Sequence, residues 1–531
     1  MEVSVVRSSQ VKIGRAELGR RELGFCKLSG NLRTQISFGQ KYTSWKNGRL
    51  QFTLRAVQSE SVRPVKASGP SKRSKSNDGL RLFVGLPLDA VSDCNSVKHA
   101  RAIAVGLMAL KLLGVTGVEL PVWWGIVEKE AMGKYEWSAY HSLAEMVQKA
   151  GLELHVSLCF HASKQPKISL PDWVSCLGES QPGMFFKDRS GQQYKECLSL
   201  AVDELPVLNG KTPIQVYHDF CESFKASFSP FLGSTITGVS VSLGPDGELR
   251  YPSHHQSVKR SKIPGVGEFQ CFDENMLNVL KQHAEATGNP LWGLGGPHDA
   301  PSYDQSPDSN TFFKDHGGSW ESPYGDFFLS WYSNQLISHG DRILSLASST
   351  FGDTEVTAYG KVPLMHSWYK TRSHPSELTS GFYNTSSRDG YEAVADMFAR
   401  NSCKMILPGL DLSDVHQPHE SRSSPESLLS QIRTACRKHG VEISGQNSSI
   451  SGAPGGFQQI KKNLLGENEI NLFTYQRMGA YFFSPEHFPS FSGFVRSLNQ
   501  VELQSDDLAS DEEATESIHV NSEQGIHMQA A

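Results

Sequence analysis

Through the middle of the chain, short apolar runs rich in β-branched residues alternate with longer segments whose apolar residues recur every three to four positions. That alternation leaves few folds open. The runs fall at 80–88, 117–124, 152–161, 235–243, 355–362, 403–410, 441–446 and 470–476. Helical recurrence occupies 96–113, 137–150, 213–227, 326–348, 390–401, 424–439 and 485–499. Eight buried parallel strands with covering helices predict an α/β fold, a single (β/α)8 TIM barrel, which can exceed about 400 residues when its loops are enlarged. The stretch from Gly244 to about Tyr324, rich in Gly, Pro and His, follows the fourth run and is expected as an insertion on the C-terminal face, where such barrels place their active sites. No second domain is required.

The two ends differ from this middle. Residues 1–77 hold 16 Lys and Arg against 4 Asp and Glu, a net +12 in a chain of net −5, so the remainder carries −17. A Ser- and Arg-rich N-terminus with few acids and no apolar run long enough to span a bilayer is expected to be a transit peptide and linker. A basic disordered arm that touches nucleic acid or membrane has a similar composition, and so does a mitochondrial address. Residues 501–531, with Asp506-Asp507 and Asp511-Glu512-Glu513, are acidic and poor in aromatics, and are expected to stay disordered. The barrel is therefore assigned to 78–500.

Nine cysteines are spread singly, without C-x-x-C spacing or a secretory signal, which argues against metal clusters and a disulfide framework. Most are expected to be small buried hydrophobes, and the sequence nominates no pair for a redox switch. Gly293-Leu294-Gly295-Gly296-Pro297 lacks the strand-to-helix setting of a phosphate loop and is expected as a turn. Val258-Lys259-Arg260-Ser261-Lys262 is expected as a solvated basic loop. Neither a cofactor nor a metal is expected, and nothing points to a nucleic-acid or membrane partner for the barrel.

Four strings stand out in order along the chain: Val122-Trp123-Trp124-Gly125, Gly244-Pro245-Asp246-Gly247-Glu248-Leu249-Arg250-Tyr251-Pro252-Ser253, Gly265-Val266-Gly267-Glu268-Phe269-Gln270-Cys271, and Ser376-Glu377-Leu378-Thr379-Ser380-Gly381-Phe382-Tyr383-Asn384. Together they resemble plant beta-amylases, inverting enzymes that take maltose from the non-reducing ends of α-1,4-glucans, over roughly residues 80–500. The resemblance implies that Glu248 holds the position of the proton donor and that Gln446 stands where the general base, a glutamate, belongs. An inverting glycosidase needs both: one carboxylic acid protonates the departing oxygen while a second carboxylate takes a proton from water. A glutamine amide has no protonated state near neutral pH, so a general-base contribution of about 10²–10⁴-fold is forfeited.

The resemblance further implies that His161 contacts the non-reducing-end glucose, that Lys361 and His366 line the glucan cleft, and that Asn447 and Arg477 are sugar contacts. Aromatic faces such as Trp124 or Trp368 would lie beneath the rings. Each residue also has an ordinary alternative as a core histidine, a solvated lysine or a cap, and Glu248 as a loop glutamate.

Departures from the family fall on separate roles. Pro121 stands where active members have an aspartate that grips the terminal glucose. Residues 162–174 lack the glycine-rich mobile flap, so the lid is gone or rebuilt. Pro408, in Leu407-Pro408-Gly409-Leu410-Asp411, replaces a threonine that holds the leaving sugar. These departures lead to the expectation of a non-catalytic beta-amylase-like protein of the chloroplast stroma. It would regulate or scaffold starch breakdown through a protein partner, with α-glucan or maltose binding secondary. Alternatives are a glucan sensor, or a weakly active amylase in which Glu442 or Asp411 stands in as base. Glu442 lies four residues before Gln446 on the same strand face, about 13 Å away at 3.3 Å per residue. That is too far to serve the same water.

Overall fold

The computed structural model describes residues 79–254, 263–448, 455–465 and 470–499. The assignments made to 1–77, 501–531 and 258–262 lie outside the described residues. Eight parallel strands close into one barrel: β1 (Arg81–Gly85), β2 (Gly117–Trp123), β3 (Glu153–Cys159), β4 (Ile236–Val241), β5 (Thr357–Lys361), β6 (Lys404–Leu407), β7 (Ile443–Gln446) and β8 (Leu472–Tyr475). Consecutive strands are neighbours, as in Leu120 against Val156 and Val239 against Ala358, and Phe83 against Thr474 closes the ring.

All eight strands fall within the expected runs, and each is shorter than its run. Leu86, Phe160, Leu243 and Leu410 stay buried after the ladder has ended, so apolarity overruns the strands into the rim loops.

Eight helices cover the barrel: α1 (Ala100–Leu113), α2 (Ser138–Lys149), α3 (Pro213–Ser227), α4 (Pro323–Phe351), α5 (Tyr391–Arg400), α6 (Pro425–His439), α7 (Gly456–Leu464) and α8 (Phe488–Asn499). Their ends carry local instructions. Thr212 and Gln215 form a reciprocal capping box at the start of α3, with Pro213 in the first turn, and Gly114 ends α1 in the left-handed conformation. Helix α7 was not expected, because Gly-Phe-Gln-Gln-Ile-Lys-Lys-Asn-Leu is short and carries few apolar positions.

The enlarged loops follow β3 and β4. After β3 come a helix, Asp172–Ser180, and an antiparallel hairpin of Phe185–Lys187 with Gln193–Leu198. After β4 the insertion contains a helix of its own, Glu274–Ala286, capped by Asp273 on the Met276 N–H at 2.9 Å. Gln270 donates to the Tyr303 hydroxyl (2.8 Å), which donates to Asp188 (2.9 Å), so the two loops are stitched together above the barrel. The Gly265–Cys271 string supplies the close approach. Gly267 has φ +79°, and a Cβ there would lie 2.8 Å from Thr379 Oγ1 and 2.9 Å from Ser253 O.

Candidate functional site

Beyond β4 the chain turns sharply at Gly244 (φ +148°), where a Cβ would sit 2.8 Å from Glu248 O, and at Asp246 (φ 54°). The turn brings Glu248 into a parallel bridge with Lys361 at the end of β5, and Leu249 N–H donates to Lys361 O at 2.8 Å. The Glu248 carboxylate thereby meets two cations, Arg250 Nε at 2.9 Å and Lys361 Nζ at 3.2 Å. Arg250 also reaches the Asp246 carboxylate. Burial works to raise the Glu248 pKa, but Lys361 and Arg250 outweigh it and hold the carboxyl below the ordinary 4.5. At neutral pH it is ionised. A proton donor to a leaving oxygen needs the opposite tuning, a carboxyl whose proton is retained near the working pH.

His161, just past β3, joins the same side of the rim. Its Nδ1 lies 2.8 Å from Ser242 Oγ, and its ring meets Trp123 edge-on at 5.3 Å between centroids. Burial pushes its pKa down to about 4, so the imidazole is neutral, with Asp246, Lys361 and Glu248 as its charged neighbours. His161, Glu248 and Lys361 thus form one cluster.

A second group gathers where β7 and β8 end. Gln446 is the last residue of β7 and is buried; its carbonyl accepts from Leu410 N–H at 3.0 Å. Among the described residues its side-chain amide makes no hydrogen bond. Asn447 donates to Ser448 O and Gln476 O, both at 3.0 Å, and accepts from Gln476 N–H at 2.6 Å. Arg477 donates to Leu86 O at 2.6 Å and lies 3.8 Å from Glu119. Glu119 in turn accepts from Ser157 and Gln476, both at 2.7 Å, in a polar chain through the barrel. Asn447 and Arg477 therefore tie strands together in this structure. His366 stands apart on the loop after β5, with Nδ1 2.5 Å from Ser423 Oγ, and burial lowers its pKa to about 4.

Neither stand-in base is available. Glu442 precedes β7, has a side chain 61% exposed and pairs with Lys404, so it does not share the inner wall with Gln446 as a strand beginning at Val441 would require. Asp411 is buried, and its two oxygens hold Ser448 through the main-chain N–H (2.5 Å) and the hydroxyl (2.6 Å).

The departures also have local structures. Pro121 lies inside β2 opposite Ser157, wholly buried. After His161 the chain makes a closed turn, with Ser163 and Ile168 exchanging hydrogen bonds of 2.8 and 2.9 Å. Ala162 N–H donates to Glu196 O, and Lys164 pairs with Glu196 at 3.0 Å. The lid position is thus rebuilt as a pinned turn. It seats on the first string, since a Cβ on Gly125 would come 1.9 Å from Ser169 O.

Trp124 corrects an expectation. It is fully buried, its Nε1 donates to Glu128 at 2.6 Å, and Phe160, Trp173 and Tyr217 surround its ring, so it offers no face to a sugar. Trp368, with Nε1 on Pro264 O at 2.9 Å, borders a cavity of about 540 Å³ that Asp304, Gln305 and Arg422 also line. Arg250 was missed by sequence reasoning, although residues two apart in an extended segment point to one side, so Glu248-Leu249-Arg250 carried the signal.

The sequence pattern of glycosyl hydrolase family 14 matches residues 83–502. A protein of Arabidopsis thaliana named inactive beta-amylase 9 is 59% identical over 521 residues, spanning 97% of this chain and 96% of that protein. Another from the same plant, inactive beta-amylase 4, chloroplastic, is 38% identical over 477 residues, spanning 86% and 90%. The solved catalytic domain of beta-amylase from Paenibacillus polymyxa is similar in structure, with a TM-score of 0.66 at 27% identity over 79% of this chain and 98% of that one.

Proposed function

The chain belongs to glycosyl hydrolase family 14, and we propose that it is a non-catalytic, beta-amylase-like protein of the chloroplast that regulates or scaffolds starch breakdown through protein contacts. The observation that carries the loss of chemistry is the amide at Gln446, where the resemblance places the general base. Hydrolysis by inversion requires the attacking water to give up a proton to a carboxylate, and the amide of Gln446 cannot take it. Relatives named as inactive support the same conclusion. The chloroplast is supported by the relatives named chloroplastic and by the +12 of residues 1–77. His161, Lys361, His366, Asn447 and Arg477 are the residues left to meet an α-glucan, and most of their hydrogen-bonding capacity is spent within the protein.

The test is add-back. Starch breakdown is measured in chloroplast extract depleted of the chain, before and after purified chain is supplied. Wild type and Glu248→Gln should change the rate equally, because no chemistry at Glu248 is involved. Failure of Glu248→Gln alone would mean a catalytic role, and no effect of either would end the regulatory reading. Calorimetry with maltose and maltopentaose addresses the glucan: a sensor must give saturable heat, and the account expects none.

A further inference from the structure

An outer helix of a (β/α)8 barrel is ordinarily apolar inside and polar outside. Helix α1 departs from this. Its sequence, Ala-Arg-Ala-Ile-Ala-Val-Gly-Leu-Met-Ala-Leu-Lys-Leu-Leu, has only two polar residues, Arg101 and Lys111, and no acid. Ile103, Gly106, Leu107 and Leu110 are buried against the barrel. At 3.6 residues per turn, Arg101, Val105, Met108 and Leu112 fall on the opposite side. Val105 is 69% exposed, Met108 52% and Leu112 84%. Contiguous exposed apolar surface of this kind marks an interaction site.

We infer that the outer face of α1 is a docking surface for an amphipathic helix of another protein, one whose apolar stripe is flanked by acidic residues. The inference rests on the proposal that the chain works through protein contacts. Val105, Met108 and Leu112 repeat at the spacing by which helices dock onto helices. Arg101 and Lys111 lie ten residues apart, roughly 15 Å along the axis, so a bound helix with acids near both ends meets a cation at each. The nearby charges are matched, Lys98 with Asp89 at 3.1 Å and Lys149 with Glu145 at 3.0 Å, while among the described residues neither Arg101 nor Lys111 meets a carboxylate, Lys111 Nζ donating instead to Gly151 O at 2.6 Å, so the unmatched charge at the stripe is positive. A second copy fits less well, because α1 against α1 brings cations to cations. An anionic membrane surface would call for about 4–8 clustered Lys and Arg, and this face has two.

The experiment uses the full chain and two labelled synthetic helices with the same leucine stripe, one flanked by glutamates and the other by lysines, followed by fluorescence anisotropy. The glutamate peptide should bind saturably and the lysine peptide should not. Leu112→Ser should weaken binding on the order of tenfold, with the helical circular-dichroism signal unchanged. Arg101→Glu combined with Lys111→Glu should exchange the preference between the peptides. Absence of binding, equal binding of both peptides, or indifference to these substitutions would overturn the inference. So would a sedimenting dimer that Leu112→Ser disperses, tighter binding to phosphatidylglycerol vesicles than to the peptide, or peptide binding that emerges only when residues 1–78 or 500–531 are removed. Maltose release from the same samples keeps the two questions apart: docking can fail while release stays at background, and release above background ends the non-catalytic reading whatever the peptide does.

Discussion

Two cations meet the Glu248 carboxylate, and each changes what it can do. Its folded pKa lies below the ordinary 4.5, so the stability it contributes is whole above that value and is lost as pH falls through it toward the folded value. Glu248→Gln should lower the unfolding free energy by about 1–3 kcal/mol at pH 7, with the gap from wild type closing below about pH 4. Denaturant midpoints across pH measure this, and a gap that stays constant down to pH 3 would mean that the clamp is absent. Gln446→Glu, for its part, returns a carboxylate but leaves Glu248 between Arg250 and Lys361 and a proline at position 121. Positioning losses can each cost about 10²-fold, so this variant should release maltose no faster than a no-enzyme control. Robust release would mean an intact cleft. Glu248 was legible because it sits inside a matched string, and Gln446 because it ends the seventh apolar run, where the resemblance places the base. The clamp was half legible: Arg250 is two residues away, whereas Lys361 comes from another strand, more than a hundred residues on.

Whole elements carry the second part of the account, and the turn after His161 is the clearest case. It is closed by the Ser163 and Ile168 pair, tied to Glu196, and seated where a side chain at Gly125 would collide with Ser169 O. Gly125→Ala must therefore move the turn or the start of the helix below it. A cost of about 1–3 kcal/mol is expected, as for other overpacked sites, together with faster proteolysis between 163 and 168. An unchanged midpoint and cleavage rate would mean that the turn is not seated there. Most of the strands were legible because burial on both faces writes a short, largely apolar run into them, whereas β7, Ile-Ser-Gly-Gln, carries only one aliphatic side chain. The rebuilt turn was legible only as a missing glycine-rich segment, since its closure depends on Glu196, more than thirty residues away. Helix α7 was not legible, because it is short and one of its inward positions is the polar Asn463, which donates to Leu410 O at 2.8 Å.

In the whole molecule a barrel of this family persists, and polar side chains at its rim hold it together. Asn447 and Arg477 link strand ends, Asp411 holds Ser448, and Glu248 joins β5 to the insertion after β4. The architecture was legible from alternation alone. The organisation of the insertion was not, because it depends on contacts such as Tyr303 with Asp188 and Arg189 with the His298 carbonyl (3.0 Å), made between residues more than a hundred apart. These arrangements leave no turnover, and maltose release from soluble starch measures that. The chain freed of residues 1–77 should release no maltose above a no-enzyme control. Sustained release that Glu248→Gln abolishes would contradict the account, because a contaminating amylase would not respond to that substitution.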